Sequence, residues 1–182
     1  MIGVDVLNGG ISFFSDRKVY QGFVSANLKK DIYGIAELGY ESNIYDKNGY
    51  DAEAKGLFAK VGGYYMLMKD NENPLNGFYA GPKIGGSFYQ QTYDRIPVRG
   101  SEGGDSFISL ETSNQSSFWF EGHIGGKVQL FQSPFFIDLS VQPRYLVYTT
   151  KQDSVVPMIV PGFGKSSSKF NVGFAWNIAL LF

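Results

Sequence analysis

The sequence predicts an all-β fold, in which eight antiparallel strands close into an up-and-down barrel. Three observations lead to this prediction. Apolar and polar residues alternate with a period of two, the alternating segments are unusually long, and short and long connections take turns along the chain. A length of 182 residues suits one domain, so we treat residues 1–182 as a single barrel domain.

The eight predicted strands differ in how clearly they alternate. The last is the clearest, whereas the first contains Gly9 and Gly10, where the alternation blurs and a bulge or bend is expected. Most are 11 to 14 residues long, compared with about 5 or 6 in globular proteins. About 9 to 11 residues cross a bilayer as a tilted strand. The predicted strands are 2–14, 19–28, 32–40, 57–67, 77–89, 119–130, 135–148 and 170–182.

The connections add independent support. Long loops are predicted at 43–54, 90–116 and 150–168, and the turns between them are short and carry Asn, Pro, Gly and Ser. An even number of strands joined by alternately short and long connections is typical of an outer-membrane barrel. The first connection, 15–18, is the exception, because it is short although it lies on the side of the long loops.

The polar residues of the strands indicate whether the apolar face of the barrel points inward or outward. A barrel of eight strands has just enough interior for side chains, so it cannot hold all of the large apolar residues. The polar set contains four acids and four bases that can neutralise one another in a lumen, which predicts a transmembrane β-barrel with its apolar face toward lipid. The expected lumen network is Asp5, Glu37, Lys60, Lys83, Glu121, His123, Lys127, Asp138 and Arg144.

Composition excludes several function classes. The chain has no cysteine, so disulfides, thiolate metal sites and thiol catalysis are absent. Its 16 basic and 17 acidic residues provide no basic surface for nucleic acid. No phosphate-binding glycine loop and no metal-ligand spacing is found, so we expect neither a cofactor nor a metal.

His123 is the one imidazole of the chain, so any histidine-dependent catalysis must use it. Glu121 lies two residues earlier on the same face and could orient it as a base. The simpler interpretation is that both belong to a polar plug, because an active site also needs a nucleophile and an oxyanion site. We therefore expect no enzyme activity and no catalytic residues.

One predicted loop is unexpectedly apolar. Within 150–168, an exposed apolar segment would indicate a binding partner, a ligand or lipid. Alternatively, the loop folds over the barrel mouth as a lid, and its two prolines lower the ordering cost of either arrangement. The candidate interaction residues are Val155, Val156, Met158, Ile159 and Phe163.

The end of the chain carries a resemblance. Phe174, Trp176, Ile178, Leu180 and Phe182 alternate up to an aromatic last residue and resemble the C-terminal β-signal of bacterial outer-membrane proteins. The opening Gly3-Val4-Asp5-Val6-Leu7 and the run from Val160 to Lys165 resemble a family of small outer-membrane barrels from Bacteroidota.

This resemblance implies a location and a set of partners. The location is the bacterial outer membrane, and because residues 1–5 do not begin a signal peptide, one is expected to have been cleaved. The implied partners are outer-membrane lipid, the barrel-assembly machinery during insertion and other envelope proteins, with no nucleic acid.

The expected function is a non-enzymatic structural or interaction component of the cell envelope, with membership of a larger outer-membrane complex left open. The alternatives are a small-molecule or lipid-binding barrel and, ranked below it, a narrow pore or a lipid-modifying enzyme.

Overall fold

The computed structural model describes residues 1–47, 49–99, 105–152 and 155–182. Its strands and one helix are β1 (Ile2–Asp5), α1 (Val6–Ile11), β2 (Arg17–Lys29), β3 (Ile32–Lys47), β4 (Tyr50–Lys69), β5 (Gly77–Arg99), β6 (Asp105–Gln129), β7 (Phe135–Thr149), β8 (Ile159–Val160), β9 (Gly164–Lys165) and β10 (Phe170–Leu180).

Eight of these strands form one closed antiparallel barrel in the order β1-β10-β7-β6-β5-β4-β3-β2. Each strand from β2 to β7 pairs with its neighbour in sequence, and β1 closes the ring against β10. The prediction of eight antiparallel strands in an up-and-down barrel is confirmed.

The barrel wall separates two kinds of side chain. Inward positions carry the buried charged and polar residues together with large aromatics such as Trp119 and Tyr79, whereas outward positions are apolar and exposed. Four residues of the predicted β-signal, Phe174, Trp176, Ile178 and Leu180, face outward on the last strand, and Phe182 lies exposed beyond its end. In the described chain, no outward position of 20–28, 32–44, 57–67, 78–88, 118–128, 135–147 or 170–180 is charged. We call this outer surface the apolar band.

The first predicted strand is wrong beyond Asp5, because α1 replaces the expected bulge. The carboxylate of Asp5 caps the helix: its Oδ1 accepts hydrogen bonds from the backbone N–H of Leu7 at 3.0 Å and of Asn8 at 3.1 Å. A side-chain oxygen at this position satisfies donors that a helix start leaves unpaired.

Two of the three predicted long loops are also wrong. The described parts of 43–54 and 90–116 largely continue the strands, so that β5 has 23 residues and β6 has 25, while positions 48 and 100–104 lie outside the described residues. These extensions lie past the apolar band and lack its hydrophobic alternation, although the backbone pairing continues there. A pattern of hydrophobicity therefore reports where the wall is apolar rather than where the strand ends. The third loop, 150–168, contains the short hairpin β8–β9.

Two apolar clusters lie inside the barrel. We call the one near the ends of the extended strands the upper cluster; it includes Phe58, Tyr89, Trp119 and Leu146. The lower cluster, near the short turns, includes Phe23, Tyr64, Tyr79 and Phe136. Lys60 on β4 and Lys83 on β5 lie between them in sequence, so charged side chains fill the middle of the barrel.

Candidate functional site: the charged interior and the mouth plug

Two carboxylates and two ammonium groups form a closed square in the middle of the barrel, which we call the charge square. The Nζ of Lys60 lies 3.2 Å from carboxylate oxygens of both Glu37 and Glu121. The Nζ of Lys83 lies 2.6 Å from Glu37 and 2.7 Å from Glu121. Each charged group therefore contacts two of opposite sign.

Strand register explains this arrangement. Glu37 on β3 stands directly opposite Lys60 on β4, and Lys83 on β5 stands directly opposite Glu121 on β6. Opposite charges at facing positions attract, and here both pairs point into the lumen. β4 and β5 are hydrogen-bonded neighbours, so the two pairs lie side by side on four consecutive strands, and at most 4% of any of the four side chains is exposed.

Arg144 on β7 extends the square. Its Nε lies 2.9 Å from Oε2 of Glu121, and its Nη2 donates to Oε1 of Gln142 at 2.6 Å. The network thus joins five consecutive strands, β3 to β7. Burying an ion pair costs desolvation energy that is recovered only with close geometry and further hydrogen bonds, and this network supplies both.

His123 and Asp138 lie inside the barrel but outside the charge square. The hydroxyl of Tyr79 donates to Oδ1 of Asp138 at 2.8 Å, and Nε2 of His123 lies 3.0 Å from the same hydroxyl oxygen. Since the one hydrogen of that hydroxyl goes to Asp138, a hydrogen bond with His123 requires the tautomer in which Nε2–H donates to the Tyr79 oxygen. Among the described residues, Nδ1 of His123 has no hydrogen-bond partner.

The pairing of Glu121 with His123 that the sequence suggested does not occur. Glu121 contacts Lys60, Lys83 and Arg144, whereas His123 contacts Tyr79. Residues two apart on a strand point to the same face but are displaced from each other along the strand axis. The bases on other strands lie nearer to the Glu121 carboxylate than His123 does. The imidazole is 3% exposed, so it is enclosed on all sides.

Lys127 and Asp5 complete the predicted set. The Nζ of Lys127 donates to the hydroxyl of Tyr64 at 3.1 Å and lies 4.5 Å from the centre of the Tyr33 ring. Aromatic faces attract a cation, and here they stand in for a carboxylate. Asp5 is buried but caps α1. The nine predicted residues therefore do not form a single network. Five of them form the charge square and its extension by Arg144, and the other four make separate polar contacts.

Glu41 is fully buried, and it has a role at the site that the sequence did not predict. Its Oε1 lies 2.8 Å from Nε of Arg17, and its Oε2 accepts a hydrogen bond from the backbone N–H of Gly162 at 2.9 Å. The signal was its position four residues after Glu37, in the same inward phase. Through Glu41, the barrel wall holds the segment that carries β8 and β9.

That segment fills the barrel mouth, and we call residues 157–165 the plug. Ile159, Val160 and Phe163 are buried in the upper cluster, and the Phe163 ring centre lies 5.9 Å from that of Trp119. Of the two arrangements that the sequence left open, an exposed segment and a lid over the barrel mouth, the buried Ile159 and Phe163 agree with the lid, in which burial removes their apolar surface from water. Met158 is partly buried, Val155 is half-buried and Val156 is exposed.

Backbone conformation and polar contacts fix the plug. Gly162 has φ +78°, and a Cβ there would lie 2.5 Å from Cγ of Phe58, so glycine is required. The carbonyl of Phe163 accepts hydrogen bonds from Arg144 and Asn171, each at 3.1 Å. The hydroxyl of Tyr93 donates to the carbonyl of Val156 at 3.2 Å, and burial raises the pKa of Tyr93 to about 12.

The described chain lacks two further features. It has no helix of the length and apolar character that a membrane crossing requires. It also has no group of three or more His, Cys, Asp or Glu side chains positioned to hold a metal ion.

The comparison with family models gives a match over residues 1–182, to the family described as a domain of unknown function, DUF6048. The chain belongs to this family. No curated protein and no solved structure matches it.

The charge square predicts a large effect of a single neutralisation. Glu121→Gln leaves Lys60, Lys83 and Arg144 with one carboxylate, so we expect the free energy of unfolding to fall by about 3 to 5 kcal/mol. Urea unfolding in detergent micelles, followed by tryptophan fluorescence, measures this. Glu53→Gln is the control, because the Glu53–Lys55 pair is solvent-exposed and is expected to contribute less than about 1 kcal/mol. Equal effects of the two substitutions would contradict the network.

The plug predicts a second difference. Phe163 is 0% exposed and Val156 is 42% exposed. We expect Phe163→Ala to lower the free energy of unfolding by about 3 to 5 kcal/mol, and Val156→Ala to change it by at most about 0.5 kcal/mol. Thermal unfolding monitored by circular dichroism compares the two variants. If Phe163→Ala were as stable as the wild type, the segment would not be packed as a plug.

Proposed function

We propose that the chain is an integral β-barrel of a bacterial outer membrane, acting as a non-enzymatic structural or interaction component of the envelope. The observation that supports this most directly is the apolar band. Monomeric soluble proteins rarely expose contiguous apolar patches of more than a few hundred Å². Here apolar side chains line the outside of every barrel strand while the charges lie within, the inverse of a soluble barrel and the pattern of a transmembrane one.

The enclosed interior supports a role without conduction. The charge square fills the middle of the lumen, with the lower cluster beneath it and the upper cluster and the plug above it. An ion would have to displace paired charges and packed aromatic rings to cross. His123 lies within the same interior, out of reach of a substrate on either side, which favours a non-enzymatic role.

The extended strands support an interaction role. Beyond the apolar band, β5 and β6 continue as a hairpin, and Val98, Phe107 and Ile108 are exposed near its end. Exposed apolar side chains on a projecting arm suit contact with another envelope protein. The other proposed partners are outer-membrane lipid and, during insertion, the barrel-assembly machinery. Kinship with the small barrels of Bacteroidota is part of this proposal.

Substitution of two apolar residues of nearly equal exposure distinguishes a lipid-facing wall from a water-facing surface. Trp176 in the apolar band is 45% exposed and Ile108 on the projecting hairpin is 46% exposed. We expect Trp176→Arg to cost about 2 to 4 kcal/mol of stability in phospholipid vesicles, and Ile108→Arg at most about 0.5 kcal/mol. Heat-modified gel mobility and protease protection after reconstitution report insertion. Equal tolerance of both arginines would contradict a membrane-facing band.

The filled lumen predicts the electrical behaviour. Wild-type protein reconstituted into planar bilayers should show no steady conductance, because the charge square and the two apolar clusters occupy the lumen. A stable, ion-selective open channel would contradict the structural role and favour a narrow pore.

A further inference from the structure

The barrel wall is incomplete where its two ends meet. β1 pairs with β10 only between Asn177 and Leu180, although β10 pairs with β7 from Phe170 onward. On the other side, β1 pairs only with 22–24 of β2, although β2 begins at Arg17. No strand therefore lies between the upper halves of β10 and β2, and the gap between them is as wide as one strand. We call this gap the seam.

Helix α1 and the turn after it bridge the seam through side chains instead of a strand ladder. Asn8 donates to the carbonyl of Phe174 on β10 at 3.4 Å and accepts from Nη1 of Arg17 on β2 at 3.1 Å. The hydroxyl of Ser12 accepts from the N–H of Val19 at 2.7 Å. These contacts satisfy part of the strand edges but leave space beside them.

That space is a cavity of about 750 Å³ between α1, β2, β3, β10 and the plug. Its size lies within the roughly 300–1,000 Å³ typical of small-molecule sites. Its lining residues include the apolar Leu7, Ile11 and Phe174 and the polar Arg17, Glu41 and Asn171. Phe174 faces outward and is 59% exposed, whereas Glu41 is fully buried inside the barrel. It is therefore apolar on the side of the band and polar on the side of the lumen.

The mouth of the cavity is marked by two aromatic side chains. Phe13 is 80% exposed and Phe14 is 94% exposed, in the turn between α1 and β2, and Phe14 lines the cavity. In transmembrane barrels, girdles of aromatic residues flank the apolar band at both interfaces. Together with the outward Val172 and Phe174, they give the seam an apolar entrance on the outer wall.

We infer that the seam cavity binds one single-chain amphiphile with a zwitterionic head group, which enters sideways from the surrounding lipid. One missing strand widens the separation by roughly 4.8 Å, which admits one hydrocarbon chain rather than two. Burial of the chain's methylene groups in the cavity favours binding. The inference rests on the proposed membrane location as the source of the ligand.

The charges at the cavity select the head group. The acids that line it are Asp16, Glu41 and Asp46, and the bases are Arg17, Arg144 and Lys165. The two sets balance, so an anionic head group gains no net attraction, whereas a head group with both charges can face both sets. Arg17 and Glu41, paired at 2.8 Å, lie on the lumen side, where such a head group ends.

The experiment uses the purified full chain in detergent solution and myristoyl lysophosphatidylethanolamine as the probe. A native mass spectrometry titration should show one bound probe per barrel. Its binding should be at least tenfold tighter than that of lysophosphatidylglycerol with the same acyl chain. Equal binding of the two lipids, or several equivalent copies of the probe, would overturn the inference in favour of nonspecific surface lipid.

Substitutions that fill the cavity locate the site. Leu7→Trp is expected to weaken probe binding at least tenfold, while Val61→Trp, on the outer wall of β4, should change it less than twofold. Ile11→Trp is a second cavity variant, because this side chain is 44% exposed and a larger one fits without repacking the interior. Unchanged binding in a folded cavity variant would overturn the assignment.

This binding test and the membrane proposal can fail separately. Binding in detergent requires no bilayer insertion, and insertion is measured by the Trp176→Arg and Ile108→Arg comparison. A barrel that inserts but binds no probe overturns the ligand inference alone. A barrel that binds the probe but tolerates both arginines overturns the membrane location alone.

Discussion

The architecture depends on the charge square of Glu37, Glu121, Lys60 and Lys83. Four unpaired charges at this depth would be prohibitively costly, so the fold must bring β3, β4, β5 and β6 into a single register. A slip of one residue on any of them would turn its charge to the outer wall and leave the partners alone. Register, closure and lumen contents are therefore set together by electrostatics as much as by apolar packing.

The square also explains the layering of the interior. Apolar clusters on both sides keep water away from the ion pairs, and attraction between opposite charges strengthens as the local dielectric constant falls. The plug completes the upper layer, and Arg144 ties it to the square by contacting both Glu121 and the Phe163 carbonyl. The plug and the charged layer thus act as one structural unit rather than as a removable cover on an open channel.

The sequence predicts the regular part of the fold well. Alternation located every strand of the wall and the inward phase of Glu37, Lys60, Lys83 and Glu121, because a strand with one apolar face has a clear period. It could not show which carboxylate meets which base, since that depends on the register between strands and on distances across the lumen. His123 illustrates this, because its partner Tyr79 lies on another strand.

Departures from the pattern were invisible for definite reasons. The turn to α1 depends on one cap, the Asp5 carboxylate, whose inward phase matched that of a lumen charge. The strand extensions beyond the apolar band have no hydrophobic period to reveal them. The fate of the loop at 150–168 depended on whether the barrel mouth had room for Phe163, which local sequence does not encode. The seam cavity exists because β1 ends at Asp5. No sequence motif marks the place where a strand is missing from the wall.

The shortness of β1 also affects the free-energy balance of closing the ring. Every other joint of the wall unites strands that are neighbours in sequence, whereas the joint between β1 and β10 unites the two ends of the chain. Bringing distant segments together costs the most chain entropy, and this joint returns only the pairs from Ile2↔Leu180 to Asp5↔Asn177. The closing joint therefore combines the largest chain-entropy cost in the wall with a ladder of four residue pairs, and the β1–β2 ladder beside it has three.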